Sequence, residues 1–346
     1  GGLLVYLVAV EVALAELGIV GGDLVDALAI GAPAILIFIA SRSGLAMGAC
    51  VLVALGVQQF RPSEGRVLHR ERTFFGVHRV ERDDDDYAAP AHLLLHGTTL
   101  HGLELRGPGF EGRPTGYYHP SGPAGAAFAE LHERRPDGYA AALIGLGTGA
   151  LADYARPADR MVFHEIDPAV VRIAEDPDLF SFLTRARRSG ADLPPVVLGD
   201  GRLTIAEHPE GSLDLVLVDA FSSDAIPVHL LTLEAVEIYL SRLAPDGLLV
   251  IHVSNQYLDL EPVVAAAAEA LGLEARIWRD ILPDERDPTG RVPSTWVVLA
   301  RDAAALGGIG RSVRWFWLNP QKRVRPWTDE RSDIWSVFDL SPVEAD

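Results

Sequence analysis

Between residues 140 and 300 the chain repeats one pattern: a short apolar run, a break, then a stretch with helical spacing. The runs fall at 141–144, 161–166, 195–198, 213–219, 248–253, 275–280 and 295–300. Strands that alternate with helices come to lie parallel, because each crossover helix returns the chain to the same end of the sheet. The predicted class is therefore α/β with a mainly parallel sheet. Ligands of such sheets bind outside the carboxyl ends of the strands, so the residues just after each run carry the information.

After the first run comes Gly-Leu-Gly-Thr-Gly at 145–149. Without β-carbons, Gly145, Gly147 and Gly149 let a nucleoside approach the backbone, and the helix start that follows offers amide donors. A tight strand-to-helix turn would use the same glycines. The spacing is G-x-G-x-G, whereas a dinucleotide fingerprint reads G-x-G-x-x-G. The second run ends in His-Glu-Ile-Asp-Pro, 164–168, which puts Glu165 20 positions after Gly145. At that separation an acidic side chain can accept from both hydroxyls of a ribose. Asp167 is explained structurally, as the cap of a helix with Pro168 in its first position. After the third run, Gly-Asp-Gly-Arg at 199–202 places Asp200 to accept from an adenine amino group and Gly201 to admit the flat base. An Asp-Gly turn explains the same residues equally well. The fourth run terminates in Asp219, and Thr232 already caps the helix from Leu233, so Asp219 is available to a cleft. Together these residues suit an adenosyl sulfonium ligand better than a dinucleotide.

Charge agrees with a small-molecule partner. A formal net charge of −18 argues against a nucleic-acid surface, which needs clustered Lys and Arg. The single cysteine, Cys50, excludes an intramolecular disulfide framework and reads as buried apolar filler.

The hydrophobic share of 49% is high for a wholly soluble chain, and the excess is concentrated before residue 60. Residues 3–20, 24–40 and 44–60 are apolar stretches near the lower length limit for spanning a bilayer. Glu11 and Glu16 interrupt the first, which reads either as a membrane helix facing a bundle interior or as a soluble amphipathic helix. Arg61, Arg66, Arg70 and Arg72 then follow, placing the downstream chain in the cytoplasm by the positive-inside tendency. The expectation is a multi-pass cell-membrane protein with transmembrane helices over 1–60.

Residues 66–120 have β-like spacing, with strands at 73–80 and 92–97 and a solvated turn at the four aspartates, 83–86. His92, His96, His101 and His119 lie in this part. On one strand His92 and His96 share a face while His101 has the other parity, and no Cys or Glu completes a ligand set. No metal site is expected.

Taken in order, Pro-Thr-Gly-Tyr-Tyr-His-Pro at 114–120, the 145–149 loop, Glu165-Ile-Asp167, Gly199-Asp-Gly201, Val-Asp-Ala-Phe-Ser-Ser-Asp at 218–224 and Trp-Thr-Asp-Glu at 327–330 resemble the spermidine synthase family. The closer likeness is to its membrane-fused branch, and it covers about residues 66–340. The resemblance implies a small β-rich domain over 66–120 and a Rossmann-like, methyltransferase-type domain over 121–340. It implies a transferase that moves the aminopropyl group of decarboxylated S-adenosylmethionine to a di- or polyamine, without a metal. Glu165 would hold the ribose, Asp200 the adenine, and Asp219 would deprotonate the attacking amine. Tyr118, His119 and Asp224 belong to the acceptor region, Tyr118 and Asp224 orienting the amine. A homodimer is the candidate assembly.

Two positions depart from the family pattern. Thr148 stands where its glycine loop carries an aspartate that pairs with the donor's ammonium, and its Tyr-His-Glu motif here reads Tyr118-His119-Pro120. Losing two carboxylates weakens amine binding, because a desolvated ammonium needs a paired charge or several acceptors. Two other readings therefore stand beside the first: a methyltransferase using S-adenosylmethionine itself, and a non-catalytic nucleoside-sensing domain.

Overall fold

The computed structural model describes residues 66–97, 99–110, 113–220, 227–255, 257–281 and 287–338. Among these, strands β1 (Arg66–Arg72), β2 (Val77–Asp83), β3 (Ala91–His96) and β4 (Thr99–Leu105) form an antiparallel sheet in that order. The aspartate stretch after β2 is a turn. Asp83 Oδ1 accepts from the amides of Asp85 and Asp86 at 2.9 and 3.0 Å, an arrangement that short carboxylate side chains favour.

The second sheet has the strand order β12-β10-β11-β9-β8-β5-β6-β7. Its strands are β5 (Ala140–Ile144), β6 (Arg160–Glu165), β7 (Val197–Leu198), β8 (Leu213–Val218), β9 (Leu243–His252), β10 (Glu274–Asp280), β11 (Ser294–Ala300) and β12 (Phe316–Trp317). Each central strand divides its side chains between two cores. Leu143, Leu215, Leu217, Leu248 and Val250 enter one core; Ala142, Ile144, Val216, Val218, Leu249 and Ile251 enter the other. Burial on both faces is why these strands read as unbroken apolar runs. Each fully buried Leu or Val contributes about 1.5–3 kcal/mol of transfer free energy.

Helices on the two faces start and stop where their caps dictate. Helix α1 (Pro123–Arg134) precedes β5. Asp167 caps α2 (Pro168–Glu175) by accepting from the Ala169 amide, with Pro168 in the first turn where its missing N–H costs nothing. Short helices α3 (Phe182–Arg188) and α4 (Gly201–Ile205) follow. Thr232 caps α5 (Leu233–Arg242) through the Ala235 amide. Helix α6 (Glu261–Leu271) ends at Gly272, whose φ of 66° provides the left-handed stop.

Pairing is parallel for β9-β8, β8-β5, β5-β6 and β6-β7, but antiparallel for β9-β11, β11-β10 and β10-β12. The sheet is thus mixed. Among the described residues no crossover helix separates β10 from β11, and the two pair antiparallel.

The expected multi-pass membrane location is corrected. Among the described residues no helix is long and apolar enough to cross a membrane. The apolar stretches 3–20, 24–40 and 44–60, with Glu11, Glu16 and Cys50, lie outside the described residues.

Candidate active site

Strand β5 is paired on one side with β6 and on the other with β8, and the chain runs outward from it in both directions. Loops after β5 and β8 therefore diverge and leave a crevice at the carboxyl ends of the strands. A cleft of about 120 Å³ opens there, lined from one side by the ends of β5, β6 and β8 and from the other by the antiparallel sheet.

The glycine loop is shaped by close approach. Gly145 has φ +102°, and a β-carbon there would stand 2.1 Å from the carbonyl oxygen of Asp219. A side chain at 145 would therefore displace the Asp219 backbone. Gly147, at φ +54°, passes under the His101 carbonyl, which its β-carbon would meet at 3.0 Å. Both glycines line the cleft. Gly149 packs against Leu183 instead, and Thr148 is fully buried against Gly102 of β4 with its hydroxyl unpartnered. Neither Thr148 nor Gly149 is among the residues lining the cleft.

Glu165, at the end of β6, is fixed by three amides. Its Oε1 accepts from Ile166 and Asp167 at 2.8 and 2.9 Å, and its Oε2 from Leu146 at 3.1 Å. Burial pushes its carboxyl above the usual range while these amides oppose the shift. Asp200, which lines the cleft with Gly201, uses Oδ1 to cap α4, accepting from the Arg202 and Leu203 amides. Its Oδ2 lies 2.8 Å from His229 Nε2. Asp200 is thus both a cap and a cleft residue. A β-carbon on Gly201 would stand 2.3 Å from Ile144 Cγ2, so the turn must carry glycine there.

Asp219 is held by two partners on two elements. The Tyr118 hydroxyl donates to Oδ2, and His252 Nδ1, at the end of β9, lies 2.8 Å from Oδ1. On the other edge of that imidazole, Nε2 is 2.8 Å from Ser254 Oγ, which accepts from the Thr295 amide at 2.7 Å. A proton on Nδ1 suits a carboxylate neighbour, and it leaves Nε2 to accept from the serine hydroxyl. The ring is sandwiched between Tyr117, at 4.8 Å, and Trp296, at 4.5 Å, both stacked. Burial and the Asp219 charge push the Tyr117 and Tyr118 phenols well above their ordinary range, so both keep their protons. The result is an oriented carboxylate in an aromatic collar.

The opposite wall comes from the antiparallel sheet. His78, His96 and His101 reach the cleft from β2, β3 and β4, with ring centroids 4.5 Å apart for the first pair and 5.5 Å for the second. His78 Nε2 lies 2.8 Å from Asp167 Oδ2, which also accepts from the Thr73 hydroxyl at 2.6 Å. Thus Asp167, besides capping α2, ties the small sheet to the end of β6. Burial lowers His96, and burial with the neighbouring His96 lowers His101 to about 4. Both rings are neutral at physiological pH.

No family model and no curated relative matches the sequence. Solved structures do. A probable spermidine synthase from Corynebacterium glutamicum superposes with a TM-score of 0.52 at 16% identity, over 79% of this chain and 100% of that one. The chain has a spermidine synthase-like fold. Spermidine synthase from Thermotoga maritima gives a TM-score of 0.46 at 13% identity, over 80% of this chain and 85% of that one.

Within this spermidine synthase-like fold, Gly145, Gly147, Glu165, Asp200, Gly201, Asp219 and Tyr118 all line one cleft. His119 does not line it and instead pairs with Ser121 Oγ at 2.8 Å. Asp224 lies outside the described residues. Sequence reasoning missed His252 and His78. The signal for His252 was present: it is a polar side chain at the carboxyl end of an apolar run, the same position that singled out Asp219. His92 packs its ring on Phe180 and bonds the Leu179 carbonyl at 2.8 Å, away from the cleft.

Proposed function

We propose that the chain is an aminopropyltransferase that takes decarboxylated S-adenosylmethionine as donor and a primary amine as acceptor. The observation that carries this reading is Asp219, a buried carboxylate at a strand end, oriented by Tyr118 and His252 toward a cleft whose described lining includes four carboxylates and neither Lys nor Arg. Such a lining suits cations and disfavours phosphates. It also favours the decarboxylated donor over S-adenosylmethionine, whose own carboxylate would need a cationic partner.

In this reading Glu165 holds the ribose hydroxyls and Asp200 the adenine amino group. An amine near neutral pH is an ammonium with no lone pair to attack. Asp219 takes one proton from it; the freed lone pair then attacks the aminopropyl carbon next to sulfur. The carbon–sulfur bond breaks and its electron pair neutralises the sulfonium, which leaves as the thioether methylthioadenosine. The product leaves as the secondary ammonium, and the Asp219 carboxyl gives up the proton it took to solvent, which regenerates the base. Tyr118, its phenol protonated, keeps the Asp219 carboxylate turned toward the amine.

Incubating the full chain with decarboxylated S-adenosylmethionine and a panel of primary amines should release methylthioadenosine. Asp219→Asn should slow release by about 10²–10⁴-fold, the usual worth of a positioned base, while donor binding persists. Donor binding without release for any amine would overturn the assignment, and methyl transfer from S-adenosylmethionine would replace it by a methyltransferase.

A further inference from the structure

The cleft has two chemically different walls. Glu165, Asp167, Asp200 and Asp219 all stand at the strand ends of the large sheet. The facing wall, from the small sheet and the 117–118 segment, presents Phe75, His78, Leu94, His96, His101 and Tyr117 with no carboxylate among its described residues. In the reading proposed above, on which this inference rests, Glu165 and Asp200 are occupied by the nucleoside and Asp219 by the attacking amine. Asp167 is sealed by Thr73, His78 and the Ala169 amide. The rest of the acceptor must therefore lie against the facing wall.

One group on that wall is without a partner. His101 Nε2 is buried and has no hydrogen-bond partner among the described residues. A buried polar nitrogen left unpaired is costly, and one beside a cleft can be completed by a ligand. The ring belongs to the neighbourhood of the base: its own carbonyl accepts from Tyr117 at 3.1 Å, and Tyr117 packs on Tyr118, the donor to Asp219, at 4.4 Å. His96, which donates from Nε2 to the Phe75 carbonyl at 3.0 Å, packs on the other side.

A second ammonium placed on this wall would lose its hydration and find no carboxylate among the wall's described residues to pair with directly, a loss that imidazole and phenyl faces only partly offset. A hydroxyl would meet the unpartnered nitrogen at no such cost. We propose that this wall selects an acceptor with a single amine and an uncharged hydrogen-bonding tail, an amino alcohol rather than an α,ω-diamine, the tail hydroxyl pairing with His101 Nε2.

The test is calorimetric, with length-matched probes on the full chain saturated with methylthioadenosine: 4-amino-1-butanol, 1,4-diaminobutane and n-butylamine. The amino alcohol should bind at least about tenfold tighter than the diamine. His101→Phe, which keeps a ring, should lower amino alcohol affinity by roughly three- to tenfold, the worth of one neutral hydrogen bond, and leave n-butylamine unchanged. His101→Asp should reverse the preference toward the diamine, with methylthioadenosine binding as the check that each variant is folded. Tighter binding of the diamine by the unaltered chain, or no binding of any amine, would overturn the inference. Because binding is read without turnover, amino alcohol binding with no methylthioadenosine release from the decarboxylated donor would count against the transferase reading and leave the subsite standing.

Discussion

Replacing His252 separates orientation of the base from its presence. His252→Phe keeps an aromatic ring between Tyr117 and Trp296, so the stack at 4.8 and 4.5 Å persists. It removes the donor to Asp219 Oδ1 and the partner of Ser254 Oγ, which still accepts from the Thr295 amide. A hydrogen bond to a charged acceptor is worth about 1.5–3 kcal/mol, and 1.36 kcal/mol is a factor of ten. Turnover with the proposed donor and amine should therefore fall by about ten- to a hundredfold, in kcat more than in KM, because the proposed nucleoside contacts of Glu165 and Asp200 are untouched. His252→Asn supplies an amide N–H near the position of Nδ1 and should recover most of the loss; His252→Gln, whose amide reaches the Nε2 position, should not. The assay is methylthioadenosine release against acceptor concentration, with methylthioadenosine affinity measured alongside. Equal losses in the Phe, Asn and Gln variants would refute the orienting role and leave His252 as packing alone.

Other expectations follow from the same geometry. Burial lowers His101 and His164 to about 4, so both are neutral in the folded state where the unfolded chain binds protons; stability is full above pH 6.5 and is lost as pH falls toward 4. From pH 7 to 5 each should cost roughly 2 kcal/mol, read by urea unfolding, and His164→Gln should flatten its share of that slope. Gly145→Ala puts a β-carbon 2.1 Å from the Asp219 carbonyl at a φ of +102°; it should destabilise by roughly 1–3 kcal/mol and weaken methylthioadenosine binding at least tenfold by calorimetry. Glu165→Gln keeps the volume but loses one carboxylate oxygen from a side chain that accepts from Leu146, Ile166 and Asp167. It should weaken methylthioadenosine binding by about ten- to a hundredfold, and unchanged affinity would remove the ribose assignment.

Why the sequence disclosed one wall of the cleft and not the other follows from how each is built. Strands of the large sheet are buried on both faces, so β5, β6, β8 and β9 stand out as continuous apolar runs, and any carboxylate that ends one, such as Asp219, is conspicuous. The directions of β10 and β11 were not legible, because an apolar run is the same read either way; their antiparallel pairing is set by the tertiary structure. His252, the last residue of β9, carries the same strand-end signal more weakly, because the apolar run continues through Val253. The facing wall depends on register. Parity along one strand separates His96 from His101, but the turn at Gly97 ends β3 and β4 begins at Thr99, so the parity count restarts and His101 arrives beside His96. Register likewise sets His78 opposite His96, a pairing across β2 and β3 that no spacing along the chain encodes. The orphaned His101 nitrogen is a product of that register, and so is the acceptor preference drawn from it.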